Sequence, residues 1–102
     1  MHIHLHSDPI IREWLEAAER GDLARLTERL DRGIDINTTS KGGTTALMLA
    51  AYAGHVEAVR WLLDRGADLH AVGRDGLTPL AWAIREGRDE VAAILRAAGA
   101  TE

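Results

Sequence analysis

Apolar and polar residues follow one another along this chain with the spacing of short amphipathic helices. Leu80, Ala83 and Ile84 recur at intervals of three and four residues and form one apolar stripe. Thr78 and Pro79 precede that stripe as a helix N-cap and a first helical residue. Gly87 follows it, where a glycine in the left-handed conformation ends a helix. The pattern therefore predicts a helix over residues 79–86.

Similar patterns predict five more helices, over residues 9–20, 22–32, 45–53, 55–65 and 89–98. The segments 37–43 and 70–76 lie between helix pairs, are polar, contain glycine and are too short for another helix. We expect them to form β-turn fingers. The core is expected to consist of the apolar residues Trp14, Leu23, Leu26, Leu30, Leu47, Leu49, Val59, Leu62, Leu80, Trp82, Val91 and Leu95.

Glycines divide the chain into units of 33 residues. They form three series with that spacing: Gly21, Gly54 and Gly87; Gly33, Gly66 and Gly99; Gly43 and Gly76. On this register GGTTALMLAAYAGH (42–55) aligns with DGLTPLAWAIREGR (75–88). We expect one repeat domain over residues 8–102, with units of about 8–37, 38–70 and 71–102, after a histidine-rich extension of residues 1–7.

The repeated unit resembles the ankyrin repeat, which is a β-turn followed by two helices in 33 residues. The resemblance rests on GxTxL at 43–47, GLTPL at 76–80, GHVEAVRWLLDRGADLHA at 54–71 and DRGIDIN at 31–37, and it covers nearly the whole chain. It implies an all-α solenoid of helix pairs with β-turn fingers. The family's Thr-Pro-Leu-His tetrad lacks its histidine here, since Met48 and Ala81 stand in that position. The hydrogen bonds between neighbouring turns must therefore differ from the family pattern.

Polar residues replace apolar ones in the two outer units. The substitutions relative to the middle unit are Leu49 to Glu16, Trp61 to Glu28, Val56 to Asp89 and Leu63 to Arg96. A stack of repeats must end without exposing an apolar face. The pattern predicts a complete three-unit domain with capped ends.

Composition narrows the function. Hydrophobic residues make up 46% and charged residues 27% of the 102 residues, as in folded soluble domains. The net charge of −4 disfavours nucleic acid as a partner, and the absence of cysteine excludes thiolate chemistry. The chain has no apolar run that would span a membrane and no signal peptide, so we expect a cytoplasmic protein without a membrane partner. It also lacks a phosphate loop, a carboxylate pair and a serine triad, so we expect no enzyme and no cofactor.

The resemblance implies a protein partner, bound on a concave surface of finger tips and first helices. Carried onto this chain, that surface comprises Leu15, Glu19, Ser40, Lys41, Thr44, Met48, Tyr52, Arg74, Asp75, Leu77, Ala81 and Arg85. The expected function is that of a protein-interaction module or scaffold. A plainer interpretation of Tyr52 and Met48 is that they cover the edge of the core.

His2, His4 and His6 alternate with Ile3 and Leu5. In an extended strand the three imidazoles would share one face, and imidazole binds zinc, copper and nickel. The segment can be a tag or tail, a strand that docks on the stack or on another chain, or a metal site completed by Asp8 or a second chain. The alternative function is therefore a self-assembling homo-oligomer, natural or engineered, with metal bound at these histidines.

The other two histidines, His55 and His70, have expected roles within the repeats. His55 follows Gly54 at the turn between the helices of the middle unit, and His70 stands at the entry to the second finger. We expect both to be structural. The start HIHLHSD also resembles metal-dependent hydrolases, but those require a large barrel and distant ligands that the repeats leave no room for.

Overall fold

The computed structural model describes residues 8–101, which form three consecutive pairs of helices. The helices are α1 (Pro9–Arg20), α2 (Leu23–Asp31), α3 (Ala46–Ala53), α4 (Val56–Asp64), α5 (Pro79–Arg85) and α6 (Asp89–Ala97). Each agrees with its predicted range to within one residue at either end. Within residues 8–101 no strand forms, and a single β-bridge joins Thr39 to Thr45 in the first finger. The predicted all-α repeat fold is confirmed.

Side-chain caps set where four of the helices begin. An oxygen of the residue before each helix accepts a hydrogen bond from a backbone N–H in the first turn, which that N–H could not find inside the helix. The pairs are Asp8 with Ile10 (2.8 Å), Asp22 with Arg25 (3.1 Å), Thr45 with Met48 (3.2 Å) and Thr78 with Ala81 (3.1 Å). Polar cap residues thus fix the helix starts independently of the core.

The helices pack in two layers. The first helices α1, α3 and α5 lie side by side, while α2, α4 and α6 each pack on the first helix of their own repeat. The middle helix α3 has neighbours on both sides, and all residues from Ala46 to Ala51 are buried. Its alanines let the neighbouring helices approach closely. Because both sides of this helix are covered, its apolar residues are not confined to one stripe.

The observed core agrees with the predicted one at all but two positions. Leu23 and Leu30 are only partly buried, because among the described helices α2 packs mainly on α1. The other predicted core residues are buried, from Trp14 at 0% to Trp82 at 8% exposed. The polar replacements in the outer units are accessible: Glu28, Asp89 and Arg96 are exposed, and Glu16 is half-buried. The ends of the stack therefore present polar side chains.

A hydrogen bond from the helix–helix turn connects the second repeat to the first, and an equivalent bond connects the third repeat to the second. His55 Nε2 lies 2.8 Å from the backbone oxygen of Glu19, and Arg88 Nε donates to the backbone oxygen of Tyr52 over 3.1 Å. A carbonyl oxygen only accepts, so Nε2 carries the proton of His55. Both donors occupy the same position of their repeats, 33 residues apart. The structural role expected for His55 is therefore observed.

The two fingers are joined without the family's histidine. The backbone N–H of Arg74 donates to Gly42 O (2.8 Å), and its guanidinium donates to Lys41 O (3.1 Å). The backbones are in close contact, because a Cβ added to Gly43 would lie 3.3 Å from Gly73 Cα. In the middle repeat the missing histidine is replaced by Met48, whose sulfur accepts from the N–H of Thr45 at 3.4 Å. These contacts fix the fingers relative to each other.

Leu47→Ala is expected to lower the free energy of unfolding by about 2–5 kcal/mol, because it removes a side chain that is 1% exposed. Leu23→Ala removes the same atoms from a partly buried position and should cost less. Chemical denaturation of both variants measures the difference. An unchanged denaturation midpoint for Leu47→Ala would contradict the assignment of this residue to the core.

Gly21→Ala and Gly87→Ala form a matched pair that tests the contact between repeats. Both glycines have a left-handed backbone, with φ of 70° and 69°, so alanine at either costs about 1–2 kcal/mol. At Gly21 the new Cβ would also lie 2.8 Å from His55 Cγ, whereas nothing described lies within 4 Å of it at Gly87. We expect a larger loss of stability for Gly21→Ala in denaturation experiments. Equal losses would contradict close packing of His55 on Gly21.

Candidate partner-binding surface

The fingers and the first helices form a continuous surface, which we call the front face: the fingers 38–44 and 71–77 and the accessible sides of α1, α3 and α5. It holds most of the residues predicted to bind a partner. Lys41, Arg74, Asp75 and Arg85 are exposed, and Glu19, Ser40, Thr44, Tyr52, Leu77 and Ala81 are partly exposed. A partner can therefore reach these ten side chains.

The prediction is wrong for two residues of this surface. Leu15 and Met48 are 0% exposed and belong to the core. They occupy equivalent positions in α1 and α3, which face inward because α1 and α3 pack directly against each other. Met48 also caps its own helix through its sulfur. Neither side chain can contact a partner in this conformation.

An aromatic and cationic cluster lies where α3 meets α5. The rings of Tyr52 and Trp82 meet edge to face, with centroids 5.5 Å apart and planes at 80°. The guanidinium carbon of Arg85 lies 5.5 Å from the centre of the Trp82 ring. Tyr52 and Arg85 are equivalent positions of successive repeats, and stacking of the repeats brings both close to Trp82. Edge-to-face and cation–π contacts each stabilise such a cluster.

Trp82 occupies a position that a smaller residue fills in the middle repeat. The equivalent residue is Leu49, which is fully buried and has no polar atom in its side chain. Trp82 buries an indole Nε1 that finds no hydrogen-bond acceptor among the described residues. A buried unsatisfied donor costs about 1–3 kcal/mol. Trp14 in the first repeat buries an indole Nε1 in the same way, so this cost is not specific to Trp82.

Val72 was missed by the sequence analysis. It lies in the second finger and is 55% exposed, one of the most exposed large apolar residues in the described chain. The backbone bond from Gly73 N to Leu77 O (3.4 Å) brings the two arms of this finger together next to Val72. A β-branched apolar residue directly before Gly73 of the finger was the signal that could have revealed it.

Several polar residues of the fingers shape the turns. Ser40 Oγ accepts from the N–H of Thr44 (3.2 Å), and Asp75 Oδ1 accepts from the N–H of Leu77 (3.2 Å). These side chains hold their fingers in a fixed conformation. The remaining side chains of the front face are therefore presented on a preformed surface.

The predicted metal ligands His2, His4 and His6 lie outside the described residues. Within residues 8–101 no group of three or more histidine, cysteine, aspartate or glutamate side chains is arranged to hold a metal ion. His70 is exposed, and its backbone N–H donates to Asp68 Oδ1 at the start of the second finger. None of the helices in the described part has the length and apolar character needed to cross a bilayer.

Comparison with known sequences gives one family. A family model for ankyrin repeats in three copies matches residues 14–101. Human ankyrin repeat domain-containing protein 29 is 45% identical over 53 residues, which make up 51% of this chain and 18% of that protein. Osteoclast-stimulating factor 1 of Bos taurus is 45% identical over 47 residues, 46% of this chain and 22% of that protein. The chain thus spans less than a quarter of the length of these relatives.

Comparison with solved structures gives the same fold. One similar chain occurs in the structure of the Bd0816 predatory endopeptidase from Bdellovibrio bacteriovorus in complex with immunity protein Bd3460. It matches with a TM-score of 0.83 and 37% sequence identity, over 87% of this chain and 47% of that chain. Similarity over this share of the chain, at this TM-score, shows that the two chains share a fold.

Proposed function

The chain belongs to the ankyrin-repeat family, and from this premise we propose that it is a binding module or scaffold that holds a partner protein on its front face. Ankyrin repeats generally mediate protein–protein interaction, and proteins built from them are typically non-enzymatic. The proposal for this chain includes the specific surface, a cytoplasmic location and the absence of a catalytic role.

The Tyr52–Trp82–Arg85 cluster is the observation that carries the proposal. Tyrosine, tryptophan and arginine are the residue types that most often dominate binding energy at interfaces. Here both Tyr52 and Arg85 lie close to the buried Trp82 ring, and parts of both side chains remain accessible. A rigid aromatic surface loses little conformational entropy when a partner binds.

Tyr52→Ala combined with Arg85→Ala is expected to weaken partner binding by at least about tenfold, since both positions are of the hot-spot type. The wild-type protein, immobilised and cross-linked in extracts of its own host cells, would first identify the partner by mass spectrometry. Affinity for the purified partner is then compared with that of the variant. The control is Arg60→Ala with Asp64→Ala, two exposed changes on α4 in the outer layer.

Circular dichroism should show that both double variants remain folded. The proposal would be overturned if the front-face variant bound normally while the α4 variant lost the partner. That result would place the binding surface on the second helices.

One specific class of partner is favoured by a structural relative. The similar chain of known structure belongs to a complex between an endopeptidase and an immunity protein. We therefore propose an enzyme as a second candidate partner, which this chain would bind and inhibit. If the captured partner is a hydrolase, its activity should fall in proportion to added chain, and the Tyr52 and Arg85 double variant should inhibit less.

The alternative function is a homo-oligomer assembled through the N-terminal histidines. Imidazoles at alternate positions suit zinc, nickel or copper, and His2, His4 and His6 supply them. Light scattering in EDTA and in zinc tests it. On the binding-module proposal we expect a mass near 11.1 kDa in both conditions. A larger mass only in zinc, abolished by His4→Ala, would favour the metal-linked oligomer.

A further inference from the structure

Trp82 differs from the residues at the same position of the other two repeats. That position holds Leu49 in the second repeat and Glu16 in the first. Trp82 is 8% exposed and Leu49 is fully buried, so both side chains face the interior of the stack. A leucine therefore suits this position, and in the third repeat the indole adds a large flat ring to it.

The Trp82 ring contacts the two residues on which the proposed function depends. Tyr52, in the second repeat, meets it edge to face with ring centroids 5.5 Å apart. Arg85, about one turn further along α5, places its guanidinium carbon 5.5 Å from the ring centre. Trp82 itself offers a partner almost no accessible surface. Its effect on binding therefore passes through the two side chains that it contacts.

The third repeat holds Tyr52 through both its backbone and its side chain. Arg88 Nε donates to the backbone oxygen of Tyr52 over 3.1 Å, and Trp82 contacts the phenol ring. The first contact fixes the end of α3 relative to the third repeat. The second contact limits where the ring of Tyr52 can point.

Only the backbone contact recurs between the first and second repeats. There His55 Nε2 donates to the backbone oxygen of Glu19, as Arg88 does to that of Tyr52. The ring contact has no counterpart, because Glu19 and Leu49 occupy the two equivalent positions. Successive repeats therefore stack without an aromatic pair at these positions, and the Trp82 contact acts on the side chain of Tyr52.

We propose that Trp82 is a positioning residue for partner binding, which holds the Tyr52 ring and the Arg85 guanidinium in the orientation that the partner meets. This inference rests on the proposed function and assigns a further residue to it. A tyrosine side chain without such a contact samples several rotamers, and ordering it only on binding lowers the affinity. Contact with the buried indole orders the ring before the partner arrives.

Trp82→Leu and Trp14→Leu form a matched pair of variants. Both tryptophans are buried, both have an indole Nε1 without an acceptor among the described residues, and both stand where another repeat has leucine. Trp14 differs in contacting the ring of Trp61 on α4, at a centroid distance of 6.4 Å. We expect both variants to lose stability and to remain folded by circular dichroism. If Trp82→Leu does not fold, Trp82→Met removes the ring with a more adaptable side chain.

Proton NMR of Tyr52 tests the inference without a partner. Tyr52 is the only tyrosine of the chain, so its ring signals are a unique probe. The magnetic effect of the nearby indole displaces these signals from the values of an exposed tyrosine. Trp82→Leu should move them toward those values, Trp82→Phe should retain part of the displacement, and Trp14→Leu should leave them in place. Unchanged Tyr52 signals in Trp82→Leu would overturn the inference.

Affinity for the purified partner identified by cross-linking gives the second measurement. Trp82→Leu should weaken binding by about two- to tenfold, as expected when one side chain must be ordered on binding. Trp82→Phe should restore most of the affinity, and Trp14→Leu should bind as the wild type does. In the Tyr52 and Arg85 double-alanine background, Trp82→Leu should cause no further loss, because it acts only through those side chains.

Two binding results would overturn the inference: equal weakening by Trp82→Leu and Trp14→Leu, or a further loss in the double-alanine background. Neither contradicts the proposed function, which depends on the loss of the partner in the Tyr52 and Arg85 double variant. Normal binding by that double variant would overturn both, because Trp82 would then have no binding side chain to position.

Discussion

The contact between successive repeats is the constraint on which the rest of the structure depends. A single helix pair of this length cannot bury its own apolar face, so each repeat needs a neighbour. The bonds of His55 to Glu19 O and of Arg88 to Tyr52 O set the distance and rotation between repeats. The same stacking buries α3 on both sides and aligns the fingers into one surface. The contact between repeats therefore determines both the fold and the binding surface.

The sequence predicted the elements well, because caps, glycines and the 33-residue period act locally or between equivalent positions. It was less reliable for the surface. Leu15 and Met48 were assigned to the partner surface from their place in the family pattern, but the close approach of α1 and α3 buries both. The Tyr52–Trp82 contact joins residues of different repeats, and neither local spacing nor composition indicates such ring geometry.

The first repeat differs from the others in how it uses charge. Arg29 stands where Leu62 and Leu95 fill the core, and it pairs with Glu13 across the two helices. A partly buried ion pair is no more stabilising than a packed leucine, because both charges lose water. Its benefit lies in the side of α2 that no other described helix covers. There a polar pair avoids an exposed apolar patch.

This asymmetry bears on how the protein can recognise a partner. Arg20, Arg29 and Arg32 of the first repeat form ion pairs with carboxylates, whereas Lys41 and Arg74 of the fingers form none with the described residues. The finger cations are also held in place, since Arg74 is bonded through both its backbone and its guanidinium. Because this surface is already ordered, the entropy cost of binding falls mainly on the partner. Selectivity would then come from how well the polar groups of the partner match these fixed side chains rather than from contact area alone.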